Sequence, residues 1–333
     1  MTHTERMDAL LKGEPVDRLP VSFWRHFYLA ERTSQGLAQA MLYFWRRYQW
    51  DFLKVNPRST YQAEAWGVEP RYGPDEHTKE ELGEWPVRES RDWTRITPVS
   101  ATEGVFAEQL DALRRVKVGL GGECYFIQTV FSPLATLGKL AGGPEQVKED
   151  MVDAADVLHR ALAAVADTLG AYVEEVLKIA DGIFYATTIW AAGEHLTPKL
   201  YEEFGRPYDL QVLSHAQSAR LNVLHVCQPD NFVRNLVDYP VHAINWNVYA
   251  PGNADLLEVA RLTDKTIIGG VDHERVLLHG SPVDVRAHVE GLLGGEKPAK
   301  FVVGPGCVVD TRTPDQNLTT IKAVVSGLSA AQT

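Results

Sequence analysis

Short runs of β-branched and aromatic residues recur along the chain, and each is followed by a longer segment whose apolar positions return with helical spacing. The strand-like runs are Leu19–Trp24, Phe52–Asn56, Tyr125–Phe131, Gly182–Thr187, Leu221–Cys227, His242–Trp246, Thr266–Gly270 and Lys300–Gly304. Helices are predicted near 29–48, 61–67, 145–178, 197–217, 230–237, 254–262, 282–294 and 314–329. Thr197-Pro198, Ser281-Pro282, Thr313-Pro314 and Asn253 supply start signals, each a capping side chain ahead of a first turn. A strand followed by a helix, repeated eight times, implies a parallel sheet and predicts an α/β fold closed as a (β/α)8 TIM barrel. The stretch at about 68–104, with Pro70, Pro74, Pro86 and Pro98 and many charges, breaks the rhythm and is expected to be an irregular insertion over the barrel mouth or its flank. No linker rich in Ser, Gly or Pro divides residues 1–333, so one barrel domain is expected.

In such barrels the working residues sit at the C-terminal ends of the strands. His225-Val226-Cys227 closes the fifth run, and Cys307 in Gly304-Pro305-Gly306-Cys307 follows the eighth. Residues two apart on a strand share a face, so the His225 imidazole and the Cys227 thiol can reach one ion, and the barrel brings Cys307 to the same mouth. Three ligands of this type leave one tetrahedral position open, the pattern of a catalytic zinc. The competing reading is structural, because free cysteines are among the most buried residues and a strand-end histidine can simply be hydrogen-bonded.

Composition narrows the partners. With 33 Lys+Arg against 44 Asp+Glu the net charge is -11, and no basic block stands out, which argues against a nucleic-acid surface. Three cysteines in 333 residues make no disulfide framework, the polar start Met1-Thr2-His3-Thr4-Glu5 has no apolar signal region, and no apolar run approaches the ~20 residues that span a bilayer. A cytoplasmic protein without membrane partners is expected.

The C-terminal half resembles the uroporphyrinogen decarboxylase superfamily in the HxC of His225–Cys227, in Ala243-Ile244-Asn245-Trp246, in Ile268-Gly269-Gly270-Val271-Asp272, in Gly304–Cys307 and in Thr313-Pro314-Asp315-Gln316-Asn317-Leu318. The opening Pro15-Val16-Asp17-Arg18-Leu19-Pro20-Val21 fits it too. The resemblance implies a (β/α)8 barrel and one of two chemistries. One is metal-free decarboxylation of a porphyrinogen. Its first arginine falls on Arg25, but its second falls on Leu29, its essential aspartate near Arg58, its tyrosine near Gly138 and its late histidine on Pro305. The other is zinc-dependent methyl transfer from methylcobalamin, carried by a corrinoid-binding partner protein, to a small-molecule acceptor that is a thiol or tetrahydrofolate. All three ligands of that branch are kept as His225, Cys227 and Cys307, although Gln228 stands where glycine commonly follows the HxC. The methyltransferase is the expected activity. A metal-free decarboxylase and a noncatalytic corrinoid- or thiol-binding barrel are the alternatives.

Further polar residues fall at predicted strand ends. Glu194, beside His195, could orient a ligand or act as a base, or could decorate its loop. Asp272 could serve as a catalytic carboxylate or support His225, or could brace the glycine turn before it. Asn245 and Asn247 share a face and could bind substrate or form a satisfied polar layer. Arg25, His26 and Arg58 could together bind an anionic group. Cys124 lies at the opposite end of its strand and reads as structural.

Overall fold

Inward and outward positions alternate along every barrel strand, and the alternation decides which residues meet at the mouth. The computed structural model describes residues 1–327. Its strands are β1 (Phe52–Val55), β2 (Glu69–Arg71), β3 (Glu81–Glu84), β4 (Tyr125–Phe131), β5 (Gly182–Ala186), β6 (Val223–Val226), β7 (Ala243–Trp246), β8 (Thr266–Val271) and β9 (Phe301–Pro305). Seven of them form one parallel sheet in the order β1-β4-β5-β6-β7-β8-β9, and β2 and β3 pair separately as an antiparallel hairpin. The outward set, including Leu53, Val55, Leu224, Val226, Ile244 and Trp246, packs under the surrounding helices. The inward set, including Phe52, Ile127, Phe184, Val223, Ala243, Ile268 and Val302, fills the barrel. Each such fully buried side chain contributes roughly 1.5–3 kcal/mol, so an inward polar side chain at the same depth needs a separate reason.

The expected first strand, Leu19–Trp24, closes the ring without forming a regular ladder. It makes isolated parallel bridges, Val21 to Val303 and Arg25 to Val309. Ser22 N–H donates to Val303 O at 3.0 Å and Val303 N–H to Pro20 O at 2.9 Å. On the β1 side, Asp51 N–H reaches Val21 O at 2.9 Å and the Ser22 hydroxyl donates to Phe52 O at 2.8 Å. Pro20 has no N–H to give, and a hydroxyl takes one place in the ladder. Asp51 then anchors the segment, accepting from Arg6, Arg18, the His3 ring and Val21 N–H at the barrel floor.

The helices are more broken than their periodicity suggests. The expected 145–178 helix divides into Pro144–Asp153 and Ala155–Leu177 at Ala154, and 197–217 divides into Pro198–Phe204 and Arg206–Ser214 at Gly205. The 230–237 segment holds only the 3-10 turn Val233–Asn235. Thr197 and Ser281 cap their helices as expected. Thr313 does not, because the last helix starts at Asp315, and Asp255 replaces Asn253 as the cap of Leu256–Leu262. Residues 328 and 329 of the expected last helix lie outside the described residues. Within 68–104 the hairpin brings its connection over the mouth, where the His77 ring pairs with Thr311 Oγ1 at 2.9 Å. A helix unforeseen in the sequence, Gly104–Leu120, follows it and buries Phe106, Leu110, Leu113 and Val116 on one face.

Candidate metal centre

His225 is inward on β6, and its register partners Ala186 on β5 and Asn245 on β7 are inward beside it. Asn245 fixes the histidine. Its Nδ2 donates to Ile268 O at 3.0 Å and to Pro305 O at 2.9 Å, and since carbonyls only accept, the amide has one orientation. Its Oδ1 then accepts from His225 Nδ1–H at 2.7 Å, which leaves the Nε2 lone pair free to bind. That Nε2 lies 3.4 Å from Cys307 Sγ, and Cys307 Sγ lies 3.8 Å from Cys227 Sγ. The three donor atoms all fall within 4.8 Å of one another and could hold a metal ion. Zinc bonds of about 2.3 Å to sulfur and 2.0–2.1 Å to nitrogen give tetrahedral edges of about 3.8 Å between sulfurs and about 3.6 Å from nitrogen to sulfur. The donor set fits zinc in element, and two of its three edges, 3.4 and 3.8 Å, match these lengths.

The two thiols shift each other in opposite directions. The Cys227 S–H and the nearby His225 hold Cys307 well below the usual thiol range, while the same sulfur–sulfur contact and burial push Cys227 well above it. Two turns bring the cysteines together. A Cβ at Gly306 would stand 2.7 Å from the Asn247 backbone, so only glycine admits this approach. Gln228 has φ 74°, a left-handed backbone that glycine adopts freely and glutamine does at a cost. Thr188 at φ 52° and Asp230 at φ 48° sit in nearby loops with the same strain, which tends to collect at functional sites.

Two cavities meet at the thiols. One of about 240 Å³ is lined by Trp24, Lys54, Phe184, His225, Cys227 and Cys307 among others, and one of about 450 Å³ by Cys227, Cys307, Asn247, Tyr249, His273 and Glu274 among others. A third, of about 500 Å³, lies around Cys124, Lys117, Asp181 and Arg220 at the opposite end of the strands, remote from this donor set.

The sequence profile of the uroporphyrinogen decarboxylase (URO-D) family matches residues 2–327. The chain belongs to this family. Its fold is the URO-D-like (β/α)8 barrel expected from the strand–helix count. Among solved structures it is similar to a methyltransferase from Methanosarcina mazei, with TM-score 0.86 and 19% identity over 98% of this chain and 99% of that one. A B12-independent methionine synthase from Shewanella sp. W3-18-1 gives 0.61 and 13% over 93% and 98%. A putative vitamin-B12-independent methionine synthase from Listeria monocytogenes gives 0.57 and 13% over 92% and 95%. These likenesses show the shared fold. No curated protein matches the chain in sequence.

Several residues expected at this URO-D-family site are placed elsewhere. Asp272 does not support His225, since Asn245 does. Its carboxylate caps the π-helical turn His273–Leu277, accepting from Arg275 N–H at 3.0 Å and pairing with Arg275 Nε at 2.7 Å. Arg58 is not available to an anion, because Glu64 and Glu108 both chelate its guanidinium. Arg25 packs over Phe27 and lies 3.7 Å from Asp315. His26 lines the smaller cavity with its Nδ1 held by Glu31 at 2.9 Å. Asn247 lines the larger cavity, and its Oδ1 accepts from Tyr249 N–H. Glu194 is exposed and is not part of either cavity wall. Cys124 is buried, and burial pushes its thiol up, as a structural cysteine requires.

Two wall residues were overlooked in the sequence. Lys54 is inward on β1, 6% exposed, against the Trp24 and Phe184 rings and the Asn56 side-chain oxygen. Burial draws its ammonium down to about 7, with Cys307 and Glu31 supporting the charge only in part. The signal was present: a lysine two residues after Phe52 must share its inward face. His273 is buried with Nδ1 unpartnered and stands in the wall beside both cysteines, carried there by a single π turn of the kind found at functional sites.

Proposed function

We propose that the protein is a zinc-dependent methyltransferase that moves a methyl group from the methylcobalamin of a partner corrinoid protein to a small-molecule thiol. The observation that carries this reading is the donor triangle of His225, Cys227 and Cys307, with edges of 3.4 and 3.8 Å, in the wall of the 240 Å³ cavity. Zinc held there would favour the thiolate of a bound thiol at neutral pH, the form that attacks a methyl carbon. The remaining roles belong to the chain's own residues. Asn245 Oδ1 keeps the proton on His225 Nδ1 and aims Nε2 at the ligand position. Lys54 Nζ, drawn down to about 7 in the same cavity, accepts the proton that the thiol gives up. The apolar faces of Trp24 and Phe184 keep water from the sulfur before transfer. Methylcobalamin would supply the methyl group as an electrophilic carbon, the donor keeping the bonding pair as the new C–S bond forms. The likeness of the whole chain to a methyltransferase supports the same reading.

The family's decarboxylase chemistry is disfavoured, because no carboxylate among the described residues lines the 240 Å³ cavity to grip pyrrole N–H groups and Arg58 is locked in its ion pairs. Zinc-loaded protein incubated with methylcobalamin and a panel of thiols is expected to consume methylcobalamin with matching thioether formation. Loss of carboxyl groups from uroporphyrinogen by metal-free protein, with no thioether formed, would reverse the assignment. Binding of both thiol and corrinoid without turnover would leave a noncatalytic barrel.

A further inference from the structure

We propose that Cys227 and Cys307 form a site of reversible oxidation, which a peroxide closes to an intramolecular disulfide, removing two of the three donors from the metal position. This goes beyond the methyltransferase reading. Closure of the disulfide rests on the two thiols alone, and only the accompanying release of metal rests on their role as ligands.

The Sγ atoms stand 3.8 Å apart, and a disulfide bond of about 2.05 Å is reached when each sulfur moves by about 0.9 Å toward the other. Neither cysteine is tied into the sheet. β6 ends at Val226 and β9 at Pro305, so the sulfurs can approach without breaking a strand ladder. Both side chains are partly exposed, and both line the 240 Å³ and the 450 Å³ cavities. A molecule as small as peroxide enters either one, and among the described residues that line them these two carry the only sulfurs. The third cysteine of the chain, Cys124, is 3% exposed at the opposite end of the strands and has no further thiol to pair with. Burial also holds it in the thiol form, which is a poor nucleophile toward peroxide.

The oxidant is hydrogen peroxide, and the reaction balances in two steps. The electron pair of one sulfur attacks a peroxide oxygen, the O–O bond breaks, and a sulfenic acid forms as hydroxide leaves. The second sulfur attacks the oxidised one, the S–S bond forms, the S–O bond breaks, and a second hydroxide leaves. Together the sulfurs lose two electrons and the peroxide gains them. The two thiol protons turn the hydroxides into water, and solvent supplies those protons where the sulfurs start as metal-bound thiolates. A partner sulfur already in contact is what turns a sulfenic acid into a reducible disulfide before a second peroxide makes the irreversible sulfinic acid. Once closed, the pair leaves His225 as the one remaining donor of the three, too few to keep a zinc ion.

The test treats reduced full-length protein, metal-free and zinc-loaded, with a modest excess of hydrogen peroxide. In the metal-free protein the thiols titrated after denaturation are expected to fall from three to one, and the intact mass to fall by two hydrogens. Proteolysis is expected to give one cross-linked pair of peptides, carrying Cys227 and Cys307, and dithiothreitol to restore all three thiols. Zinc-loaded protein is expected to release its metal to a chromogenic chelator in step with the loss of two thiols. Cys227→Ser, at a partly exposed position, is expected to form no cross-link and to leave a sulfenic acid on Cys307 that dimedone traps. The peptide map of the wild type decides the matter even where a variant folds poorly. Three thiols that persist, oxidation to sulfinic acid without a cross-link, or a link that involves Cys124 or a second chain overturns the proposal. Zinc-loaded protein that keeps its metal and its thiols at a peroxide concentration that closes the metal-free pair overturns the release of metal. Closure in a protein that binds no zinc under reducing conditions supports the oxidation site and overturns the zinc reading.

Discussion

Lys54→Met is expected to stabilise the protein by an amount that shrinks as pH rises. Lys54 Nζ is enclosed by Trp24, Phe184 and Asn56, with Cys307 and Glu31 the negative groups that act on it and Lys79 and His26 sharing its cavity. Burial draws its ammonium from 10.5 to about 7. The sign follows from proton counts. Between these values the unfolded chain keeps the proton that the folded chain has released, so Lys54's contribution to stability rises with pH up to 10.5 and is lost as pH falls toward 7. At about 1.4 kcal/mol per pH unit, the whole interval corresponds to about 5 kcal/mol, an upper bound that local relaxation lowers. Methionine fills a similar volume and does not titrate. Urea unfolding of metal-free wild type and variant at pH 6.5, 7.5, 8.5 and 9.5 measures the difference. The variant's advantage is expected to be largest at pH 6.5 and 7.5 and to fall by about 2–3 kcal/mol between pH 7.5 and 9.5. A difference that stays constant or widens over that range would refute the unpaired, buried amine.

Three other substitutions test separate parts of the account. Asn245→Leu removes the acceptor of His225 Nδ1–H and is expected to weaken zinc binding about 10–100-fold in competition with a chromogenic chelator; unchanged affinity would show that the tautomer is fixed by other means. Asp209 accepts the hydroxyls of Tyr185, Tyr201 and Tyr239 in the fully buried helix–sheet layer, so Asp209→Leu, which strands three hydroxyls, is expected to cost about 3–5 kcal/mol in urea unfolding, and Asp209→Asn less. Gln228→Gly relieves a left-handed φ of 74° and is expected to raise stability by about 0.5–1 kcal/mol, read as a higher urea midpoint with unchanged slope.

The fold was legible because its period was repeated. Seven of the eight strand-like runs are strands at nearly the expected places, and the eighth is reduced to bridges by Pro20 and Ser22, a loss that strand-forming composition does not register. Helix lengths were harder to read, since Ala154 and Gly205 interrupt apolar patterns that continue across them. Gly104–Leu120 was hidden by the proline-rich stretch before it, although Phe106, Leu110 and Leu113 carry the helical spacing. At the site, spacing and strand ends were enough to bring His225, Cys227 and Cys307 together. Partner choice was not legible. Arg58 and Asp272 looked like free charges, and only the packed structure shows Glu64, Glu108 and Arg275 neutralising them. The unpaired charge belongs instead to Lys54, which an apolar run concealed although alternation alone places it inward.

Zinc analysis of the purified protein tests the central claim most directly. The account predicts about one zinc per chain, an X-ray absorption spectrum with two sulfur ligands near 2.3 Å and a nitrogen ligand near 2.0–2.1 Å, and loss of the metal in a folded Cys307→Ala variant. Wild-type protein that binds no zinc when reconstituted under reducing conditions, or a Cys307→Ala variant that keeps a full equivalent in an unchanged ligand set, would contradict it.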